Sequence, residues 1–212
     1  MSIGLKRVRW FKCDLHLHTP ASQCFQERSI TAVQWVERAI DQGLDCVAIT
    51  DHNTGEWVDA IKEAASGTSL TIFPGVEITC DTSKIHLLIL FDVDKTTEYV
   101  NDFIIRCGID RRMFADKLAG TTQSIFQIAK LANDEGAVVI PAHIDDYNGL
   151  SSISNENLKS FFELPYINAV QVVHKQFTDK LLQTNTNEEL KEYLNNYRSE
   201  EHTSELQSRL HL

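Results

Sequence analysis

The densest chemistry in the chain lies in the string DLHLHTPAS, Asp14 to Ser22. It closes an apolar run that reads as a first β-strand, and in a strand alternate side chains share a face. Asp14, His16 and His18 are therefore expected to point one way, with Cys13, Leu15 and Leu17 pointing the other. Two imidazoles two residues apart on one strand can close on a single cation. Thr19-Pro20 then stops the strand and leaves the histidines at its C-terminal end. Four later strings place a metal-competent residue at a strand edge. AITDHN (Ala48 to Asn53) carries Asp51 and His52, and FPGVEIT (Phe73 to Thr79) carries Glu77. KIHLLILF (Lys84 to Phe91) begins with His86, and VVIPAHID (Val138 to Asp145) ends in His143 and Asp145. Of the 8 histidines in the chain, His16, His18, His52, His86 and His143 fall in these strings.

The ligand types indicate the metals. Imidazoles mixed with carboxylates suit Zn, Mn or Fe better than Mg or Ca. A carboxylate such as Glu77 can bridge two cations roughly 3.5–4 Å apart, the spacing of two-metal hydrolytic sites. Asp14 precedes the ligands and reads as an orienting partner for an imidazole. Asp51 reads equally as an orienter of His52, a proton donor, or a cap for the following helix. Asp145 and Asp146 read as turn residues. His174 with Lys175 reads as a polar pair closing a strand, the alternative being a place at the rim near a substrate phosphate.

In this order (HxH, TDH, GxE, a strand-borne His, then AH) the strings resemble the motifs of the PHP (polymerase and histidinol phosphatase) superfamily, over roughly Phe11 to His174. The resemblance implies a distorted (β/α)7 TIM-like barrel, two or three divalent metals, and phosphoester hydrolysis. It implies that His16 and His18 hold one metal and that Glu77 bridges two. It also implies that His86 and His143 complete the second site and that His52 belongs to a third. In several members a His or Asp five or six residues after HxH joins that third site. Here those positions are Gln23 and Cys24. Cys24 as a thiolate would ligate, but a loop cysteine is the simpler reading. The family's closing Asp-x-His string has no counterpart after His143. The segment Arg198 to Ser208, RSEEHTSELQS, resembles the in-frame translation of a sequencing-library adapter. The expected organisation is thus an incomplete domain over residues 1–197, lacking its last strand, and a non-native tail over 198–212. His202 and His211 are set aside as ligands with that tail.

The elements that must position these residues alternate. Strands are expected at Phe11 to His18, Asp45 to Thr50, Leu70 to Phe73 (continuing toward Ile78), Ile85 to Phe91, Ala137 to Pro141 and Asn168 to Val173. Helices are expected near Thr31 to Gln42, Gly55 to Ala65, Thr97 to Cys107, Thr122 to Glu135 and Asn155 to Phe162. Such alternation argues for a mostly parallel sheet. Asp110 to Gly120 reads as a polar, mobile excursion.

Composition agrees with one globular α/β domain: 212 residues, 42% of them hydrophobic, with a formal net charge of −10. That charge argues against a nucleic-acid groove built on net charge, although bound cations invert the sign locally. No apolar signal or spanning run is visible, and the 5 cysteines show no CxxC spacing, which fits reduced thiols in a cytoplasmic protein. The expected activity is hydrolysis of a phosphorylated small molecule or nucleic acid, with no membrane partner. Two alternatives stand beside it. One is an N-terminal regulatory or nuclease module of a larger chain with a fused downstream ATPase domain. The other is an amidohydrolase-like C–N hydrolase, against which the lack of a bridging lysine after a middle strand argues.

Overall fold

The computed structural model describes residues 10–80, 84–146, 149–150, 155–167 and 169–173. His174, Lys175, the boundary at 197 and residues 198–212 lie outside the described residues. Five strands form one curled sheet in the order β1 (Cys13–Leu17), β2 (Cys46–Ile49), β3 (Thr71–Cys80), β4 (Ile85–Leu90) and β5 (Val138–Pro141). The helices are α1 (Ala32–Asp41), α2 (Val58–Ala64), α3 (Thr97–Arg106), α4 (Ile125–Asp134) and α5 (Asn155–Phe162).

Helix starts follow local capping chemistry. Thr31 and Ser124 each accept from a backbone N–H three residues on, and Gln34 and Gln127 return the bond, giving two capping boxes. Thr96 caps α3 in the same way through Tyr99. Gly43, at φ +70°, follows α1 in the left-handed conformation that glycine adopts without cost.

The mostly parallel sheet expected from alternation needs correction. β1–β2 and β2–β3 are parallel, but β3–β4 and β4–β5 are antiparallel. The reason is the short connection after Cys80: it leaves no room for the crossover helix that a parallel pair requires. β3 changes partners midway, pairing β2 through Pro74 and β4 from Gly75. Pro74 has no N–H to give a ladder, and a side chain on Gly75 would meet Ile89 O at 2.8 Å and Ile49 O at 3.0 Å. This Pro-Gly pair is where the sheet bends tightly enough to begin closing a barrel.

Alternation along β3 and β4 sorts two clusters. Ile72, Val76, Ile78, Ile85, Leu87 and Ile89 join the large core packed beneath the helices, with Trp35, Val58, Ile61, Phe103 and Ile128. Leu88 and Leu90 face inward with Ala48, Ile140 and Ala142, in a much smaller cluster. Glu77 pairs with Leu88 and His86 with Thr79, so both stand on the inner face.

Three further expectations are adjusted. The segment expected as a sixth strand is not a regular strand among the described residues: Ile167, just before it, bridges Val139, while Gln171 N donates to Pro141 O (3.0 Å), Ile144 N to Gln171 O (2.9 Å) and Val173 N to Asp145 Oδ1 (3.0 Å), so it lies beside β5. The excursion after Asp110 is held down rather than loose: Asn53 Nδ2 donates to Asp116 O (3.0 Å) and Ala119 O (2.8 Å). Finally, β1 does not alternate cleanly. Asp14 pairs with Val47 and Leu17 with Ile49, so three steps on β1 match two on β2. The bulge inserts one residue and reverses the parity. Asp14 therefore stands opposite Val47, a residue of the outer core, and not on the face of His16.

Candidate metal centre

Six side chains from different elements meet at one rim of the sheet. His16 comes from β1 and His18 from the residue after it; His52 follows β2, Glu77 lies within β3, His86 near the start of β4, and His143 beyond β5. The antiparallel turn explains His86. The first residues of β4 lie beside the last of β3, so an N-terminal position there reaches the same rim as the C-terminal ends of the other strands.

Glu77 is fully buried and is the hub. Its Oε2 lies 3.1 Å from His16 Nε2, 3.4 Å from His18 Nε2 and 3.2 Å from His52 Nδ1. Its Oε1 lies 2.8 Å from His86 Nδ1 and 3.2 Å from His143 Nε2. The five imidazoles form a closed ring around it, neighbour to neighbour, with centroid separations from 4.8 to 5.8 Å. Each carboxylate oxygen thus faces its own group of nitrogens, as a bridging ligand would.

Gln171, absent from the sequence reading, sets the state of His16. The backbone N–H of His143 donates to Gln171 Oε1 at 3.0 Å, which fixes that atom as the oxygen. His16 Nδ1 sits 2.8 Å from the same oxygen and must carry a proton to donate. In the neutral ring His16 Nε2 then presents a lone pair to Glu77 Oε2 at 3.1 Å. Only a proton or a cation between those atoms makes such an approach favourable. The residues present therefore fit divalent cations: imidazole nitrogens converge on a carboxylate, and the far nitrogen of one ring is held by a hydrogen-bonded amide. The same glutamine braces His143, whose φ of +29° lies in the left-handed region that non-glycine residues adopt under constraint. The signal was present in the sequence as a lone polar residue inside the apolar string AVQVV.

Electrostatics matches the geometry. Burial alone would push Glu77 up, but the charges of His52, His16 and His86 outweigh it and hold its carboxyl well below the usual carboxylate range. Burial opposes the charged form of His16, yet the charge and hydrogen bond of Glu77 prevail and raise it. His52 is lowered, chiefly by burial.

The two aspartates do not touch imidazoles as hydrogen-bond partners. Asp14 Oδ1 accepts the backbone N–H of His16 at 3.1 Å, and burial pushes its carboxyl up to about 6. Asp51 accepts from Thr19 N and Thr19 Oγ1, both at 2.6 Å, and its Oδ1 lies 3.8 Å from His18 Nδ1. Burial pushes Asp51 up to about 7 against those hydrogen bonds. It orients the turn after His18 rather than His52, and it does not cap α2, whose first residue is preceded by Trp57 with no side-chain cap. Cys24 lies in this same turn. Its thiol, raised by burial, belongs to a group of ligand atoms with His18 and His52, all within 4.8 Å of one another.

The chain is similar to proteins already known. The chain is 35% identical over 95 residues to the 5'-3' exoribonuclease Rnm of Salmonella typhimurium, covering 43% of this chain and 31% of that protein. It is 34% identical over 110 residues to the 5'-3' exoribonuclease Rnm of Escherichia coli, covering 50% and 36%. The matched segments thus span about a third of the length of these curated relatives. Among solved structures, the fold resembles the lesion-specific endonuclease EndoQ of Pyrococcus furiosus, with a TM-score of 0.63 at 16% identity, covering 81% of this chain and 44% of that one. It also resembles a candidate metal-dependent phosphoesterase of Bifidobacterium adolescentis, with a TM-score of 0.55 at 18% identity, covering 77% and 78%. No helix among the described residues is long and apolar enough to cross a membrane. The PHP domain profile matches residues 14–207, most of the chain and every residue of the imidazole ring, and the chain belongs to the PHP domain family.

Proposed function

We propose that this chain carries a metal-dependent phosphoesterase site that cleaves phosphodiesters of nucleic acid. The observation that carries the proposal is the division of Glu77 between two sets of imidazoles, with His16, His18 and His52 on Oε2 and His86 and His143 on Oε1. These six residues would hold the cations, of the zinc, manganese or iron class. When bound, such cations supply Lewis acidity at a phosphoryl oxygen and lower the pKa of a coordinated water to about 7.

The chain's own residues do the positioning. Gln171 keeps the His16 proton on Nδ1, so Nε2 remains a donor of its lone pair. Asp14 fixes the His16 backbone, and Asp51, through Thr19, fixes the turn that carries His18. Both aspartates are positioning residues in this reading. Nucleic acid as the substrate draws on the exoribonuclease relatives, and it is compatible with the acidic chain because cations at the rim reverse the local sign.

The test is turnover of a 5'-labelled single-stranded RNA and of a phosphomonoester, with manganese or zinc and with chelator. Metal-dependent shortening of the RNA that vanishes in Glu77→Gln is the expected result. Failure to cleave either class with metals bound would overturn the proposal.

A further inference from the structure

Resting on the metal-dependent reading above, we propose that Cys24 is itself a metal ligand: its thiolate, with His18 and His52, holds a divalent cation on the flank of the Glu77 cluster. The three residues offer ligand atoms that all lie within 4.8 Å of one another. Zinc-like ions sit about 2.0–2.1 Å from imidazole nitrogen and about 2.3 Å from sulfur, which puts tetrahedral ligands roughly 3.5 Å apart. The group therefore needs only a small inward shift to close.

Cys24 is also built into place, unlike a cysteine in a free loop. Ser22 Oγ lies 3.3 Å from Cys24 Sγ and accepts the backbone N–H of His52 at 3.3 Å, so one hydroxyl ties the thiol's turn to the ligand segment. Ser22 N donates to Thr19 O at 2.9 Å and Phe25 N to Ser22 O at 3.1 Å, winding the turn tightly. Trp35 Nε1 donates to His18 O at 3.0 Å, and Thr19 is held by Asp51 on two bonds. Packing is done by the neighbouring Phe25, which is 2% exposed and joins the large core, while Cys24 stays half-buried beside the histidines. Among the described residues no other cysteine joins a group of metal-competent side chains.

Ligation replaces the S–H bond with a sulfur–metal bond and releases one proton to solvent, with no change of oxidation state. A nitrogen and sulfur donor set favours zinc, cobalt and iron over manganese and magnesium.

The experiment loads the chelator-stripped full chain with cobalt(II) and reads the near-ultraviolet thiolate-to-cobalt charge-transfer band alongside cobalt bound per chain. The band is expected in the wild type and in Cys13→Ser, and is expected to vanish in Cys24→Ser. A chain that binds cobalt without the band, or a band that survives Cys24→Ser, overturns the Cys24 proposal and leaves the Glu77 cluster standing. A wild type that binds no cobalt overturns both. Should Cys24→Ser fail to fold, the wild type answers alone: zinc should protect Cys24 from iodoacetamide, and chelator should restore alkylation, read on the Cys24 peptide by mass spectrometry. Equal alkylation with and without zinc overturns the proposal.

Discussion

The two faces of the curled sheet are built to opposite rules. The outer face is a continuous apolar layer in which Val76, Ile78, Leu87 and Ile89 pack under helices bearing Trp35, Ile61, Phe103 and Ile128. The inner face has a small apolar cluster around Ala48, Leu88 and Ala142, and beyond it at the rim stand Glu77 and five imidazoles. The outer face supplies burial, the dominant favourable term in folding. The inner rim buries a carboxylate among titratable rings, which contributes little to stability unless every group is paired. Strand alternation keeps the two apart, so a substitution on one face should be silent in the other's observable.

Substitutions at four positions test that separation. Glu77→Gln should have the largest effect on the inner face. It removes the one group shared by both imidazole sets, and the loss of metal affinity should exceed the roughly 10–100-fold typical of outer-shell partners. Circular dichroism should stay unchanged, and a metal titration reads the affinity. On the outer face, Phe103→Ala removes a fully buried ring packed 5.0 Å from Phe91 and should cost about 3–5 kcal/mol in denaturant unfolding. Metal bound per folded chain should not change; a parallel loss of metal would mean that the faces are coupled.

Gln171→Leu tests the bridge between the faces and the rim. It leaves the His143 N–H without its acceptor and frees the His16 tautomer, and it should weaken metal binding about 10–100-fold. Gln171→Glu, which keeps an acceptor, should recover most of that loss. The smallest effect concerns pH. Asp51 titrates at about 7 in the fold against an ordinary value of 3.8, so folding favours its protonated form. That contribution is present below about pH 4 and is lost as pH rises through about 7. In chelator the wild type should therefore lose stability across that window more steeply than Asp51→Asn. Parallel melting curves for the two proteins would remove Asp51 as the source.

Much of this was legible from residue order alone. The six residues that meet around Glu77 stood at strand edges in the string order of the PHP superfamily, and helix Asn155–Phe162 was read with its observed bounds. What was not legible depended on contacts distant in sequence. Strand direction at β4 cannot be read from an apolar run, because Ile85–Leu90 is buried on both faces and carries no alternation. The face of Asp14 was misjudged because a single inserted residue in β1 reverses parity without leaving a mark in composition. Gln171 was missed because its function lies 155 residues away, at His16. Cys24 read as an ordinary loop residue until the Ser22 turn placed it beside His18 and His52.

The central claim is that Glu77 and the imidazole ring are a two-cation site. Elemental analysis of the purified chain, of Glu77→Gln and of the double variant His16→Ala/His18→Ala tests it most directly. The account predicts about two transition-metal ions per wild-type chain at the Glu77 cluster, as in two-metal hydrolytic centres, with a further one where Cys24 ligates, and a marked loss in both variants with circular dichroism unchanged. Equal metal content in all three folded proteins would contradict it.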